Sequence, residues 1–403
     1  MLRILHTSDW HLGRKLKDHD RADEFRKFLT WLEGVIAKQK PDALIVSGDI
    51  FNTSNPPVES QEMYYSFLSR VAGKTCPNII ITAGNHDSAP FIDAPAGLME
   101  RCSVHVIGRA CSDEAILLND KQGRPGMIVC AVPFLHDYDV RTGKSEASFA
   151  DIEREIKTGI MSHYAEVFVK ARELRGDMDI PIVAAGHLFL DAGKTNDSEG
   201  ERSLYLGTAI KVGADIFPDD AAYVALGHLH SPQKVGRDNV RYSGSPIALT
   251  FGEWGTQKTV SVVDFAGRNF AGVTEIRVPV WREMARVSGD MAGIERELRE
   301  LAGRNVSVWA EVTYTGAESP GDLAGRLADI TEGSLVEVLS VRNEREYESY
   351  GGGNKPGSVI TIKDMKPREM LELYFEEKDI PTADREIFVE LYKEILREME
   401  IDY

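Results

Sequence analysis

The sequence predicts an α/β fold whose buried strands carry polar residues at their ends, followed by a small α+β domain and a C-terminal pair of helices. In the first two-thirds of the chain, short apolar, β-branched runs alternate with amphipathic stretches, a pattern typical of βαβ units. Five of these runs lead directly into Gly, Asp, Asn or His. Near Glu275 the alternation ends, which indicates a domain boundary.

The five runs are short and apolar enough to be strands that are buried on both faces. They are Leu2–Asp9, Asp42–Asp49, Asn78–Asp87, Pro181–His187 and Ala222–His230. Between them, Arg21–Ala37 and Val58–Val71 carry apolar residues at helical spacing. The later run Thr259–Phe265 has an antiparallel character, and we expect it to help close a second sheet.

After the first domain (1–275), the pattern predicts a small α+β domain over residues 276–345. Its expected strands and helices are Val278–Val287, Met291–Ala302, Asn305–Tyr314, Pro320–Ile330 and Ser334–Val341. The stretch 346–363 begins with a Gly-rich, polar sequence, which predicts a flexible linker. Residues 364–403 remain as a C-terminal helical segment.

This segment contains two amphipathic helices. Their apolar faces carry Met370, Leu373 and Tyr374 on the first helix and Phe388, Leu391, Tyr392 and Ile395 on the second. Such faces either pack against the rest of the chain or bind a partner protein, and the pattern alone favours neither.

Composition excludes several classes of protein. The chain has 403 residues with 64 acidic and 47 basic side chains, a net charge of −17 that argues against a simple nucleic-acid coat protein. Four cysteines without a CxxC pair predict free thiols in a reducing compartment. With no stretch that resembles a signal peptide or a membrane span, a cytoplasmic protein is expected. No GxxxxGK[ST] motif is present, which argues against ATP hydrolysis by this chain.

Polar residues at the five strand ends are the strongest functional signal. Each motif alone is weak, because Gly-Asp and Asn-His are common in turns. Five of them in one chain with 10 histidines predict a metal site. The candidate ligands are Asp9, His11, Asp49, Asn85, His187, His228 and His230.

The type and number of these side chains indicate the metal chemistry. Carboxylate, amide oxygen and imidazole ligands without a thiolate suit Mn²⁺, Fe²⁺ or Zn²⁺. Seven candidates are too many for one tetrahedral structural zinc. They fit two ions that share a bridging carboxylate, an arrangement suited to in-line phosphoryl displacement.

The motifs DWH (Asp9–His11), GD (Gly48–Asp49), GNHD (Gly84–Asp87), GH (Gly186–His187) and GHLH (Gly227–His230) resemble those of the calcineurin-like metallophosphoesterases. The stretch YSGSPIALTFGE (Tyr242–Glu253) narrows the resemblance to the SbcD-type DNA repair nucleases. The resemblance implies a two-sheet sandwich flanked by helices, with a capping domain and C-terminal helices. It also implies a metal-dependent DNA exo- and endonuclease that prefers Mn²⁺.

The resemblance further implies roles for individual residues. One metal would be held by Asp9, His11, Asp49 and His230, and the other by Asp49, Asn85, His187 and His228. His86 would contact the scissile phosphate and act as a general acid. An SbcC-type coiled-coil ATPase would bind the C-terminal helices, and the catalytic domain would form a homodimer within a heterotetramer.

Two neighbours of this set have expected supporting roles. Asp87 is expected to brace the GNHD turn. Asn52 stands where related phosphatases carry an acid that pairs with the histidine of GNH; an amide oxygen can still accept a hydrogen bond there, but it cannot stabilise an imidazolium as a carboxylate would. On that basis Asn52→Asp should raise the pKa of His86.

Arg14, Lys15 and Lys17 follow the first motif and either contact DNA phosphates or form a solvated charged turn. Two rival functions are a protein or small-molecule phosphoesterase on the same scaffold and a non-catalytic DNA-tethering subunit. The sequences GDIFNTS and GNHD differ from the GDxVDRG and GNHE of phosphoprotein phosphatases.

Overall fold

The computed structural model describes residues 2–141, 149–191, 193, 210–316 and 322–343, together with 368, 371–372, 375, 385 and 388–393. The linker predicted at 346–363 and the residues Met370, Leu373, Tyr374 and Ile395 lie outside the described residues. The chain divides into two compact units, Met1–Pro279 and Val280–Tyr403. No helix in the described part of the chain is long and apolar enough to cross a membrane.

The first unit is built from two six-stranded mixed sheets. Its strands are β1 (Leu2–Thr7), β2 (Ala43–Ser47), β3 (Ile79–Thr82), β4 (Val104–Ile107), β5 (Ala115–Asn119), β6 (Pro125–Ala131), β7 (Ile182–His187), β8 (Phe189–Leu190), β9 (Lys211–Val212), β10 (Ala221–Gly227), β11 (Gln233–Val235), β12 (Arg237–Tyr242), β13 (Thr259–Ala266) and β14 (Asn269–Arg277). The strand orders are β14-β13-β1-β2-β3-β4 and β11-β12-β10-β7-β6-β5, and β8 pairs with β9. Its helices are α1 (Ala22–Gln39), α2 (Val58–Val71), α3 (Ala89–Asp93), α4 (Ala96–Glu100), α5 (Asp137–Val140) and α6 (Phe149–Arg175).

The two sheets pack face to face over an apolar core. Ile45 and Ile80 of the first sheet belong to the same buried cluster as Val183 and Ala225 of the second. Strands buried this completely need no polar face, which is why their sequences are continuously apolar. The structure is thus the expected α/β sandwich, and helices cover its outer faces.

Aromatic and aliphatic side chains attach those helices. On the second sheet, Tyr164 and Phe168 of α6 pack in one cluster with Val224 of β10. Beside the first sheet, the Trp10 ring lies edge-on to Phe28 of α1 and to Phe67 of α2. Trp10 sits between the two residues of the DWH motif that are predicted to bind metal, so this packing anchors that loop.

The run at Thr259–Phe265 is antiparallel as expected, but it does not close the second sheet. β13 pairs with β1 on one side and with β14 on the other, and so extends the first sheet. One edge of β1 pairs with β2. Without β13, the opposite edge of β1 would leave backbone NH and carbonyl groups unpaired. The parallel strands β6, β7, β10 and β12 form most of the second sheet instead.

The second unit begins after Pro279, and residue 275 lies inside β14. It contains β15 (Glu283–Gly289), α7 (Met291–Gly303), β16 (Val308–Tyr314), α8 (Leu323–Thr331) and β17 (Val336–Asn343). Its strands pair in parallel, which requires the crossover connections that the two helices provide. Among the C-terminal residues, Leu371 and Phe375 are buried, and the Phe375 ring lies edge-on to Phe388.

Candidate metal centre

The predicted ligands lie at the carboxyl ends of parallel strands, where those ends meet at one edge of the sandwich. Asp9 and His11 follow β1, Asp49 follows β2, and Asn85 and His86 follow β3. From the second sheet, His187 ends β7, and His228 and His230 follow β10. Such edges are where α/β proteins bind ligands.

The structure brings the predicted ligands together. Three overlapping groups have potential ligand atoms within 4.8 Å of one another. They are Asp9, His11 and His230; His11, Asp49 and His86; and Asp9, Asp49 and His187. Asn85 joins the set through its Oδ1, which is 2.9 Å from Nε2 of His187 and 3.1 Å from Nδ1 of His228.

Asp49 occupies the middle of the cluster. Its Oδ2 lies 3.4 Å from Nε2 of His11 and also 3.4 Å from Nε2 of His187. His11 belongs to one implied ligand set and His187 to the other. Asp49 is therefore within reach of both sets, as a bridging carboxylate must be.

The candidate carboxylate and imidazole ligands are almost completely buried, which agrees with a metal-binding role. Burial lowers the pKa of His11 well below its ordinary value and that of His228 to about 3, so both rings are neutral at neutral pH. Neutral imidazole is the form that binds metals. Burial also raises the pKa of Asp9 to about 6. A buried carboxylate is costly unless positive charge compensates it, and divalent cations would supply that charge.

Asp49 and His187 attract each other strongly. Burial acts to raise the pKa of Asp49, but His187, His86 and His11 together hold it well below its usual range. Burial acts to lower the pKa of His187, yet the charge of Asp49 raises it to about 9. In the absence of a cation, a proton on His187 balances Asp49, and metal binding would release this proton.

Hydrogen bonds on the far side of two imidazoles set their tautomers. His187 Nδ1 lies 3.0 Å from the carbonyl of Ser47, and His230 Nδ1 lies 3.0 Å from Oε1 of Glu253. A carbonyl and a carboxylate can only accept, so Nδ1 carries a proton in both rings and Nε2 is the nitrogen that would bind a metal. The Nε2 atoms of His230 and His11 face each other at 3.2 Å, and a shared cation would account for this convergence.

Glu253 contacts a candidate ligand, His230, and was not predicted from the sequence. It is fully buried and accepts hydrogen bonds from Nζ of Lys258 at 2.7 Å, Oγ of Ser245 at 3.2 Å and the backbone NH of Leu249 at 3.1 Å. Lys258 also donates to the carbonyl of His230 at 2.9 Å. The available signal was the stretch Tyr242–Glu253, which supports the family resemblance and ends in this acidic residue.

Asp87 connects two of the turns that carry ligands. Its carboxylate accepts from the backbone NH of Ile50, Phe51 and Gly84 at 3.1, 2.9 and 2.9 Å. Gly84 is needed here, because a Cβ at this position would lie 2.1 Å from Oδ1 of Asp49. The GNHD turn is thus locked against the Asp49 turn.

His86 contacts Asn52 in a different way from that predicted. Its Nδ1 donates to the backbone carbonyl of Asn52 at 3.1 Å, while the Asn52 side chain accepts from Nη1 of Arg14 at 3.4 Å. The side chain of Asn52 therefore does not pair with His86, and the contact at this position comes from the backbone. The backbone folds so that its carbonyl takes the position in which a side-chain acceptor was expected.

The three basic residues after the first motif have different surroundings. Arg14 is partly buried; burial is the main cause that lowers the pKa values of His11 and His86, and the charge of Arg14 lowers both further, which places it beside the cluster. Lys15 is exposed to solvent, and Lys17 is partly buried with a positive φ of 47°. Of the three, Arg14 is the one close to the predicted chemistry.

Comparison with known proteins identifies the family. The family model for calcineurin-like phosphoesterases matches residues 2–232. The SbcD subunit of the nuclease SbcCD from Escherichia coli (strain K12) is 35% identical over 350 residues, which cover 86% of each chain. The chain belongs to the SbcD family of calcineurin-like phosphoesterases.

Other matches extend over the second unit. The family model SbcD_C, described as the type 5 capsule protein repressor C-terminal domain, matches residues 280–379. The SbcD subunit of the nuclease SbcCD from Bacillus subtilis (strain 168) is 29% identical over 406 residues, covering 98% of this chain and 97% of that protein. Since both units match within the SbcD family, the cluster at the strand ends is a candidate divalent-metal site of a phosphoesterase.

Proposed function

We propose that this chain hydrolyses phosphodiester bonds of DNA, as exonuclease and endonuclease, and is the nuclease subunit of an SbcCD-type complex. The observation that carries the proposal is the position of Asp49 between two sets of buried metal ligands. The names of the relatives, which are nuclease subunits, support the choice of a nucleic-acid substrate.

Two divalent ions fit the donor set. Asp9, His11, Asp49 and His230 would hold one ion, and Asp49, Asn85, His187 and His228 the other. When bound, such ions supply an activated water and neutralise the charge that develops on the phosphate. Oxygen and imidazole ligands without a thiolate suit Mn²⁺, Fe²⁺ or Zn²⁺, and we propose Mn²⁺ among them because the resemblance to the SbcD-type nucleases implies it.

The protein's own groups prepare this site in three ways. Ser47 and Glu253 fix the ligating nitrogens of His187 and His230. Asp87 holds the Asp49 and GNHD turns together. The carbonyl of Asn52 keeps the proton of His86 on Nδ1, so its Nε2 is left to face a substrate.

His86 is suited to act on the scissile phosphate. Its backbone NH donates to Oδ1 of Asp49 at 2.9 Å, which fixes the residue beside the proposed bridging ligand. In its protonated form, Nε2–H would donate to the leaving oxygen as a general acid. Burial lowers the pKa of this imidazole, so its protonated form is the minor one at neutral pH and is a stronger acid than a free imidazolium.

The remaining proposals concern assembly and location. We propose that the C-terminal helical segment binds a coiled-coil ATPase subunit. Its described residues Phe388, Leu391 and Tyr392 are helical and only partly buried, so they retain surface for a partner. We further propose a homodimer of the catalytic domain within a heterotetramer. The four cysteines are free, which agrees with the cytoplasm.

The test is to incubate the purified chain with Mn²⁺ and linear duplex DNA. The wild type should degrade the DNA, and His86→Ala and Asp49→Asn should not. His105→Ala is the matched control, because His105 lies on β4 outside the cluster and should retain activity. Binding without degradation by the wild type, both alone and with its ATPase subunit, would favour the DNA-tethering alternative. Hydrolysis of an aryl phosphodiester but not of DNA would favour the small-molecule esterase.

A further inference from the structure

A series of aromatic rings leads outward from the metal centre along the segment that follows β6. The ring of His187 lies edge-on to Phe134 with centroids 6.3 Å apart, and Phe134 lies edge-on to His136 at 4.9 Å. Tyr138 stacks flat on His136, at 4.9 Å between centroids and with 10° between the planes. The series thus begins at a proposed metal ligand and ends at Tyr138.

Tyr138 differs from the other aromatic residues in its exposure. Its side chain is 70% exposed, whereas Phe134 is 4% exposed. Among the residues whose burial the structure describes, no other Phe, Tyr or Trp is exposed to a comparable degree. A single exposed aromatic is ordinary on a protein surface. This one lies at the ligand-bearing edge of the sandwich, because the NH of Phe134 donates to the carbonyl of Ala83 at 2.8 Å, directly before the GNHD turn.

The backbone around Tyr138 is held in place. His136 caps α5, and its NH donates to Oδ2 of Asp139 at 2.9 Å in a reciprocal capping box. The NH of Tyr138 donates to Oδ1 of Asp137 at 3.0 Å. Stacking on His136 covers one face of the Tyr138 ring. A ring fixed in this way loses little conformational entropy when a ligand stacks on it, which favours binding.

We propose that Tyr138 is a stacking platform for an unpaired nucleobase of the strand whose phosphate occupies the metal centre. This inference rests on the proposed DNA nuclease function. Base–aromatic stacking tolerates any sequence, since every base has a π face. The carboxylates of Asp137 and Asp139 repel phosphates, so this surface suits an uncharged base better than a sugar–phosphate backbone.

The position of the platform predicts a preference among DNA structures. Three ring-to-ring steps of 4.9 to 6.3 Å separate Tyr138 from His187. Along the axis of a duplex, the phosphates of one strand follow each other at about 3.4 Å, and an unpaired strand can extend further. The stacked base therefore belongs to a nucleotide only a few positions from the scissile bond. A base can stack there only when it is unpaired, so frayed ends, hairpin loops and single strands should bind better than closed duplex.

The experiment uses the full chain with Mn²⁺ in a His86→Ala background, in which cleavage is expected to be lost. Single strands carrying 2-aminopurine at successive positions are titrated with chains that have Tyr138, Tyr138→Phe or Tyr138→Ala. One position should be quenched by the Tyr and Phe chains and not by the Ala chain. The affinity of the Ala chain for single strands should fall roughly 5- to 100-fold.

An abasic strand tests whether the base itself is recognised. Removing the base at the quenched position should weaken binding by the Tyr138 chain and should not weaken the Tyr138→Ala chain further. Equal affinity and equal quenching by the Ala and Tyr chains would overturn the proposal. So would unchanged DNA binding with weaker assembly of the coiled-coil ATPase, since Tyr138 would then be a protein contact. Cleavage by the chain that retains His86 is scored separately, so failure of the nuclease proposal is distinguishable from failure of stacking.

Discussion

His230 and Glu253 form a buried histidine–carboxylate pair, with Nδ1 of the imidazole 3.0 Å from Oε1 of the carboxylate. The opposite nitrogen of His230 points to His11 within the ligand cluster. Glu253 thus orients a ligand without reaching the site itself. Lys258 balances the charge of Glu253, and its ammonium group also holds the carbonyl of His230.

Glu253→Gln should weaken metal binding. The amide cannot hold the His230 tautomer as a carboxylate does, and losses of roughly 10- to 100-fold in metal affinity are typical for such partners. Calorimetric titration with Mn²⁺ measures this directly. The change also leaves Lys258 as a buried cation without its carboxylate, which should lower the Tm.

A double variant separates these two effects. Glu253→Gln with Lys258→Met removes the uncompensated charge and should recover much of the lost Tm without recovering Mn²⁺ affinity. Recovery of both the Tm and the Mn²⁺ affinity would show that Glu253 acts on folding and not on His230. Glu59→Gln, an exposed change on α2, is the control and should alter neither quantity.

Asp49→Asn should abolish the stabilisation that Mn²⁺ gives to the wild type. Ligands that bind only the folded state raise the Tm by an amount that grows with the logarithm of the ligand concentration divided by the Kd, and Asp49 lies within reach of both ligand sets. Thermal denaturation with and without Mn²⁺, alongside measured metal content, provides the readout. An undiminished metal content of two ions per chain would exclude Asp49 as the bridge.

Asn52→Asp should have only a small effect on the alkaline limb of the pH–rate profile. A general acid is active when protonated, so raising the pKa of His86 would move the alkaline limb to higher pH. The side chain at position 52 faces Arg14, however, and the contact with His86 comes from the backbone carbonyl. A new carboxylate would pair with Arg14, and we expect a shift well below one pH unit. Hydrolysis of an aryl phosphodiester across pH measures it; a shift of a full unit would show direct contact.

His163 and Glu114 form an ion pair remote from the metal ligands, with Nε2 of the histidine 2.7 Å from Oε2 of a fully buried carboxylate. The hydrogen bond to Glu114 raises the pKa of His163. A raised folded-state pKa gives stability that is complete below the unfolded value of about 6.5 and is lost as the pH rises through the folded value. His163→Gln should therefore lower the Tm more at pH 6 than at pH 9. An equal loss of Tm at pH 6 and at pH 9 would indicate that the His163–Glu114 pair does not titrate between these pH values.

The sequence was sufficient to predict the strands that carry the ligands, because a buried strand and the turn after it are local features. Asp9, Asp49 and His187 each follow or end an apolar run; parallel pairing aligns these ends within each sheet, and the packing of the two sheets brings His187 beside Asp49. Non-local partners were harder to predict. The sheet that β13 joins depends on which edge of β1 is left without a partner. The hydrogen-bond acceptor for His86 is a backbone carbonyl, and a backbone carbonyl gives no signal in the sequence. Glu253 lies 23 residues from His230, at a spacing that no periodicity predicts.

Arg14→Ala and Lys15→Ala should affect the salt dependence of DNA binding by different amounts. Each phosphate contact contributes about 0.9 to the slope of log affinity against log salt on duplex DNA. Arg14 lies beside His86 and should reach a phosphate that occupies the site, so its removal should reduce the slope by about that amount. Lys15 is exposed and should contribute only if the duplex extends over its loop.

Lys74→Ala, on the exposed turn after α2, is the control for loss of one positive charge. Binding is measured in the His86→Ala background at several salt concentrations. If Arg14→Ala and Lys74→Ala both give the same salt slope as the parent chain, Arg14 does not contact DNA phosphates. The turn that carries Arg14 would then be a solvated charged turn.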